Sequence, residues 1–185
     1  MKRMTDLLVA TLLIVILFLP MLLIAIWIKL DSEGPVLFKQ KRKGQYDGHF
    51  TIYKFRTMAI DTPNLATDEL QNAAAFITKS GHFLRKTSLD ELPQLFNILK
   101  GDMSFVGPRP ALYNQYELIS KREQFNVHAA KPGLTGYAQV NGRDLISDEH
   151  KVRYDAYYVQ HYSLWFDIKI VCKTVTKVFK QQDIA

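Results

Sequence analysis

The sequence predicts an α+β protein. It begins with an N-terminal proline-broken re-entrant membrane helix. A small β-hairpin or sheet follows, packed with several helices that include amphipathic interfacial ones. Three observations carry the prediction. Leu7 to Ile28 is apolar apart from Thr11 and is interrupted by Pro20. Phe50 to Met58 alternates at the two-residue period of a strand. Ser88 to Lys100 and Leu164 to Lys180 repeat apolar residues at helical spacing.

The first segment is long enough for a bilayer, which needs about 20 apolar residues. It is too long for the core of a signal peptide, and Lys29-Leu30-Asp31 follows it instead of a small-residue cleavage site. Pro20 removes a backbone donor and crowds the carbonyl four residues back, which breaks or kinks a helix. Lys2 and Arg3 precede the segment, and Lys29, Lys39, Lys41, Arg42 and Lys43 follow it. Positive charge stays on the cytoplasmic side, so basic flanks at both ends fit a helix that dips into the membrane and returns. A single span kinked at the proline fits the length equally well.

Gly34-Pro35 closes that element. Strands are expected from Val36 to Gln40 and from Phe50 to Met58, joined by the turn residues Gly44 to Gly48. The alternation places Lys54 and Arg56 on one strand face, where two cations suit an anion between them, although a solvated edge strand would also carry them. Asp61 to Lys79 reads as a polar connector with a helix from about Leu65, and a short helix through Phe83 to Lys86 follows. Ser88 and Glu91 have the spacing of a capping box, and Asp90 and Glu91 suit a first helical turn. Leu92, Leu95, Phe96 and Leu99 form the apolar stripe of that helix, and Gly101 is its expected C-cap.

Downstream, Pro108 and Pro110 flank Arg109, a stiff mount for a guanidinium that suits bidentate phosphate contact. Lys131 to Arg143 reads as a ligand-shaped loop or short strand pair, which offers Gln139, Asn141 and Arg143. Asp155 lies among tyrosines on a helix. In the last helix Lys169, Lys173, Lys177 and Lys180 line up as one basic stripe. Ile168, Val171, Val175, Val178 and Phe179 lie largely away from it, with Trp165 and Phe166 at the start. This fits an interfacial helix on anionic lipid headgroups, and also an ordinary surface helix with its apolar face on the core.

Length and composition bound the function. At 185 residues the chain is one domain with room for a core. Its 48% apolar and 23% charged residues exclude a disordered chain. The lone Cys172 excludes a disulfide framework and a cysteine zinc site. A net charge of +6 favours an anionic partner. A nucleic-acid binder would show a known module or a concentrated basic helix, so no nucleic-acid partner is expected. A non-catalytic scaffold displaying a basic surface to lipid would have no use for the adjacent Asp90 and Glu91.

The strings YKFRTM, SLDELPQLFNILKGDMSFVGPRP, PGLTGYAQVNGR and DAYYV resemble the bacterial sugar transferases. These are the monotopic polyprenol-phosphate phosphoglycosyl transferases, here of the small single-domain type. The resemblance covers about Lys29 to Phe179 plus the proline-containing segment. One departure is Leu19, where a serine often precedes the membrane proline. The resemblance implies transfer of a sugar 1-phosphate from a UDP-sugar to undecaprenyl phosphate, with release of UMP. It implies Asp90 as the nucleophile and Glu91 as a Mg2+ ligand. Lys54, Arg56, Arg85, Arg109, Gln139, Asn141, Arg143 and Asp155 are then expected around the substrate. The re-entrant helix would occupy residues 1–30 and a cytoplasmic catalytic domain residues 31–185, at the bacterial inner membrane on anionic lipids. The sugar is expected to be an N-acetylated hexosamine or diacetamido sugar, with glucose or galactose as the alternative, and the oligomeric state leaves room for a homodimer.

Overall fold

The computed structural model describes residues 2–62, 73–142 and 146–180. In chain order the elements are α1 (Lys2–Asp31), β1 (Leu37–Lys43), β2 (His49–Phe55), α2 (Lys79–Thr87), α3 (Gln94–Lys100), β3 (Ser104–Val106), α4 (Tyr116–Glu123), β4 (Gly133–Thr135), α5 (Asp148–Gln160) and α6 (Leu164–Lys180). β1 and β2 form the expected antiparallel hairpin, with Lys39 opposite Tyr53. β3 and β4 pair in parallel, Ser104 opposite Gly133.

α1 has 30 residues and a length of about 45 Å. One face lies along the body. Ala10, Leu13, Ile14 and Leu17 pack with Phe50, Ile52, Leu95 and Ile98, and Met21, Ile24, Ala25 and Ile28 pack with Phe55 and Leu84. The opposite face, including Leu8, Leu12, Val15, Leu19, Leu23 and Leu30, is exposed and apolar. The sequence expects Pro20 to break or kink this helix; helical backbone continues through it, so no gap in the helix marks the proline. The turns on both sides of Pro20 pack against the same body. Both ends are tied to that body. Lys2 Nζ donates to Tyr158 and Asp167 at 2.8 Å each, and Arg3 donates to the carbonyls of Ile98 and Leu99. At the far end, Asp31 accepts from the Ser80 N–H and hydroxyl at 2.8 Å each.

A two-stranded sheet leaves each strand one open edge. The open edge of β2 is satisfied by a side chain. Asn97 on α3 is fully buried; its Oδ1 accepts from Tyr53 N at 3.0 Å and its Nδ2 donates to Thr51 O at 2.7 Å. β2 is shorter than expected and ends at Phe55. Arg56 instead turns toward the end of α1, donating to Pro35 O at 2.6 Å and Ser32 O at 2.9 Å. At the C-terminus α6 keeps its expected bounds. It buries Asp167 and Ile170 and leaves Trp165, Ile168, Val171 and Val175 exposed, so most of its apolar side does not face the core.

Candidate active site

The Asp90–Glu91 pair does not open a regular helix. Ser88 takes left-handed backbone (φ 56°) and closes α2, donating its N–H to Arg85 O and Leu84 O. Leu89 to Glu91 then form one 3₁₀ turn, and α3 begins three residues later, at Gln94, after Pro93. The Ser88 side chain makes no capping bond. The expected capping box is therefore absent, because Ser88 ends one helix and the Glu91 carboxylate turns to cations brought from elsewhere. Gly101 ends α3 in left-handed backbone, as expected.

Lys54 Nζ lies 2.8 Å from Glu91 Oε1 and 3.8 Å from Asp90 Oδ2. Arg109 approaches the same Glu91 oxygen at 3.4 Å through both terminal nitrogens. Asp90 is buried at 8% exposure. Burial pushes its carboxyl above the usual range, and the neighbouring Glu91 charge adds to this; Lys54, Arg85 and Arg109 oppose it. Arg42, which the sequence suggested only as a flanking charge, also belongs here. Burial and the Arg109 charge pull its guanidinium down to about 10, while the Glu91 charge opposes them. Lys54, Arg85 and Arg109 thus outnumber the two carboxylates, with the charge of Arg42 felt nearby, which suits an anionic phosphate group.

The Arg109 loop is held by its carbonyls, since Pro108 and Pro110 have no N–H. Pro108 O accepts from Gly133 N at 2.9 Å and Ala111 O from Lys43 N at 3.0 Å. Pro110 O accepts from Arg42 at 3.1 Å, and Arg109 O from Arg122 at 2.9 Å. Gly107 and Gly133 let this loop meet β4 closely: a Cβ on Gly107 would strike Lys131 O, and one on Gly133 would strike Gly107 N.

Behind the carboxylates a cavity of about 280 Å³ opens between α1 and α6. Ser88, Glu91, Arg109, Gln139 and Lys177 belong to its polar part; Leu13, Leu17, Leu92, Leu95, Val171 and Val175 are among its apolar walls. Gln139 keeps its Oε1 buried with no partner among the described residues.

The structure therefore gathers Asp90, Glu91, Lys54, Arg85 and Arg109 at one point, with Gln139 on the cavity wall. Other expected site residues lie elsewhere. Arg56 holds the end of α1. Asn141 accepts from Lys173 at 2.7 Å and so ties its turn to α6. Asp155 is buried against Arg122 at 2.6 Å. Pro20 sits within α1, and Arg143 lies outside the described residues. Among the described residues no group of three or more His, Cys, Asp or Glu side chains converges as a metal site. Sequence reading missed the roles of Arg42, Asn97 and Arg122. Their partners are remote in the chain, and no local spacing marks them.

Comparison with known proteins agrees with the resemblance. The profile of the family described as bacterial sugar transferase matches residues 1–181. The chain is 43% identical to the uncharacterized sugar transferase EpsL of Bacillus subtilis, over 100% of this chain and 90% of that protein. It is 42% identical to the UDP-glucose:undecaprenyl-phosphate glucose-1-phosphate transferase of Escherichia coli, over 97% of this chain and 40% of that protein. It is 39% identical to the UDP-N-acetylgalactosamine-undecaprenyl-phosphate N-acetylgalactosaminephosphotransferase of Aeromonas hydrophila, over 96% of this chain and 43% of that protein. The chain thus spans about two-fifths of these last two relatives and nine-tenths of the first. With the profile matched over nearly its whole length, this chain belongs to the bacterial sugar transferase family.

Proposed function

We propose that the protein transfers a sugar 1-phosphate from a UDP-sugar to undecaprenyl phosphate and releases UMP. The single observation that carries this reading is the joining of two environments. Lys54 meets both the buried Asp90 and the half-buried Glu91, Arg109 meets Glu91, and Glu91 in turn lines a largely apolar cavity between α1 and α6. The first environment suits a nucleoside diphosphate and the second an isoprenoid chain.

Asp90 attacks the phosphorus that carries the sugar, and the bond to the bridging oxygen breaks, with UMP leaving. Lys54 and Arg85 oppose the upward push of burial on the Asp90 carboxyl, and with Arg109 they neutralise the diphosphate as charge shifts to the leaving oxygen. The acceptor phosphate then attacks the same phosphorus, which restores the Asp90 carboxylate and yields the lipid diphosphate sugar. Gln139, on the cavity wall, is read as a substrate contact. Mg2+ favours one or two carboxylates together with phosphate oxygens, and the adjacent carboxylates fit that donor set. Glu91 would hold the ion, with Asp90 beside it, and the ion would add charge neutralisation at the diphosphate.

Both ends of α1 contact one body and its outer face is apolar. This supports a helix that enters the membrane and returns, with the site on the cytoplasmic face and α6 at the anionic lipid surface. The sugar is read as an N-acetylated hexosamine or diacetamido sugar, with glucose or galactose as the alternative.

A screen of UDP-sugars tests this reading. With the right donor and Mg2+, but no lipid, the protein should release about one UMP per site and gain the mass of a sugar phosphate, the mark of covalent catalysis. Asp90→Asn should lose both. Normal turnover with lipid but no adduct would refute the covalent step, and no UMP release from any UDP-sugar would refute the reaction.

A further inference from the structure

We propose that Arg122 and Asp155 form a buried strut that positions Arg109 in the active site; this rests on the reading of Arg109 as a phosphate-neutralising group. The two side chains are 4% and 1% exposed. Arg122 Nη2 donates to Asp155 Oδ2 at 2.6 Å, and Nη1 donates to the backbone carbonyl of Arg109 at 2.9 Å. One guanidinium therefore links α4, α5 and the residue that faces Glu91. Its Nε has no partner among the described residues, so its bonding goes to these two contacts.

Two features indicate that the strut orients the loop and is not simply a device for stability. The loop has no N–H at Pro108 or Pro110, so its carbonyls set its path. The carbonyls of Pro108 and Ala111 are held by backbone N–H groups, and that of Pro110 by Arg42. The carbonyl of Arg109 itself is held by Arg122. The second feature is cost. A buried ion pair loses much of its Coulomb gain to desolvation, and a well-packed apolar pair commonly serves stability as well or better. A planar guanidinium can fix a carboxylate and a carbonyl at once, which neither an apolar side chain nor a lysine reproduces. Arg122 and Asp155 are thus positioning residues that act through Arg109.

The test is a double-mutant cycle between the paired change Arg122→Met with Asp155→Leu and the change Arg109→Ala. It is read in kcat for UMP release and in melting temperature. The apolar pair should fold, with a melting temperature lowered by no more than the few degrees that one unsatisfied carbonyl costs. Its kcat should fall about 10- to 100-fold, the size expected when a reacting group is displaced by about 1 Å. In the Arg109→Ala background the same pair should cost less than about threefold, because the group it positions is gone. A stable apolar pair with wild-type kcat would overturn the proposal, and so would an equal loss in both backgrounds. If the apolar pair does not fold, Arg122→Lys carries the same cycle, since it keeps a charge on Asp155 but cannot hold both partners. Wild-type protein that releases no UMP would sink the reading of the reaction; the strut is then judged by the same cycle in UDP affinity.

Discussion

Asn97→Ala tests how Lys54 is mounted beside the two carboxylates. Asn97 acts as a third strand for β2, accepting from Tyr53 N and donating to Thr51 O. Truncation removes both partners at a site with 0% exposure. A buried backbone group left unsatisfied costs about 1–3 kcal/mol, so two such groups cost about 2–6 kcal/mol. Water entering the vacated space lowers that figure and the lost packing raises it, which leaves an expected loss of about 3–5 kcal/mol. For a domain of this size the fall in Tm should be roughly 6–20 °C. Thermal unfolding in a fixed detergent provides the assay. UMP release should fall as well, since Lys54 is the next residue along the released edge. Asn97→Asp keeps the acceptor for Tyr53 N but sets a buried carboxylate against Thr51 O and Asp102, so at neutral pH it should lose at least as much as Asn97→Ala. A loss below about 1 kcal/mol for Asn97→Ala, with β2 still seated, would refute the reasoning and show that β1 and the core hold β2 without this amide.

Lys54→Met removes the cation that opposes the upward push of burial on the Asp90 carboxyl. The carboxyl then ionises only at higher pH, so the acid limb of the UMP burst should move to higher pH; a uniform loss with an unmoved limb would show that Lys54 acts only on substrate. Glu91→Gln should abolish or strongly weaken turnover, and a chelator should do the same to the wild type; activity that survives both would remove Mg2+ from the reaction. Replacing Lys169, Lys173, Lys177 and Lys180 with Gln should weaken binding to anionic vesicles by about 1 kcal/mol per lysine, and unchanged partitioning would show that the stripe merely faces water.

Much of the local structure was legible in the sequence, because helical and strand periods, turn residues and caps act over a few residues. α6 runs from Leu164 to Lys180 as its apolar spacing indicated, Gly101 caps α3, and the hairpin turns where glycines allow it. The same local rules misled at Ser88, where spacing suggested a capping box and the left-handed serine closes the preceding helix instead. They also misled at Arg56, where alternation continues in the sequence after the strand has ended.

Only the tertiary structure decided which charges meet. Lys54 and Glu91 are 37 positions apart and touch at 2.8 Å; Arg122 and Asp155 are 33 apart and touch at 2.6 Å. Asp155 looks equally available in the sequence as a ligand or as a buried counter-ion, and Arg42 equally suited to a membrane flank or to the active site. The charge of a side chain is written in its residue type. Its partner and its burial depend on how distant elements pack, and a local period carries no information about that.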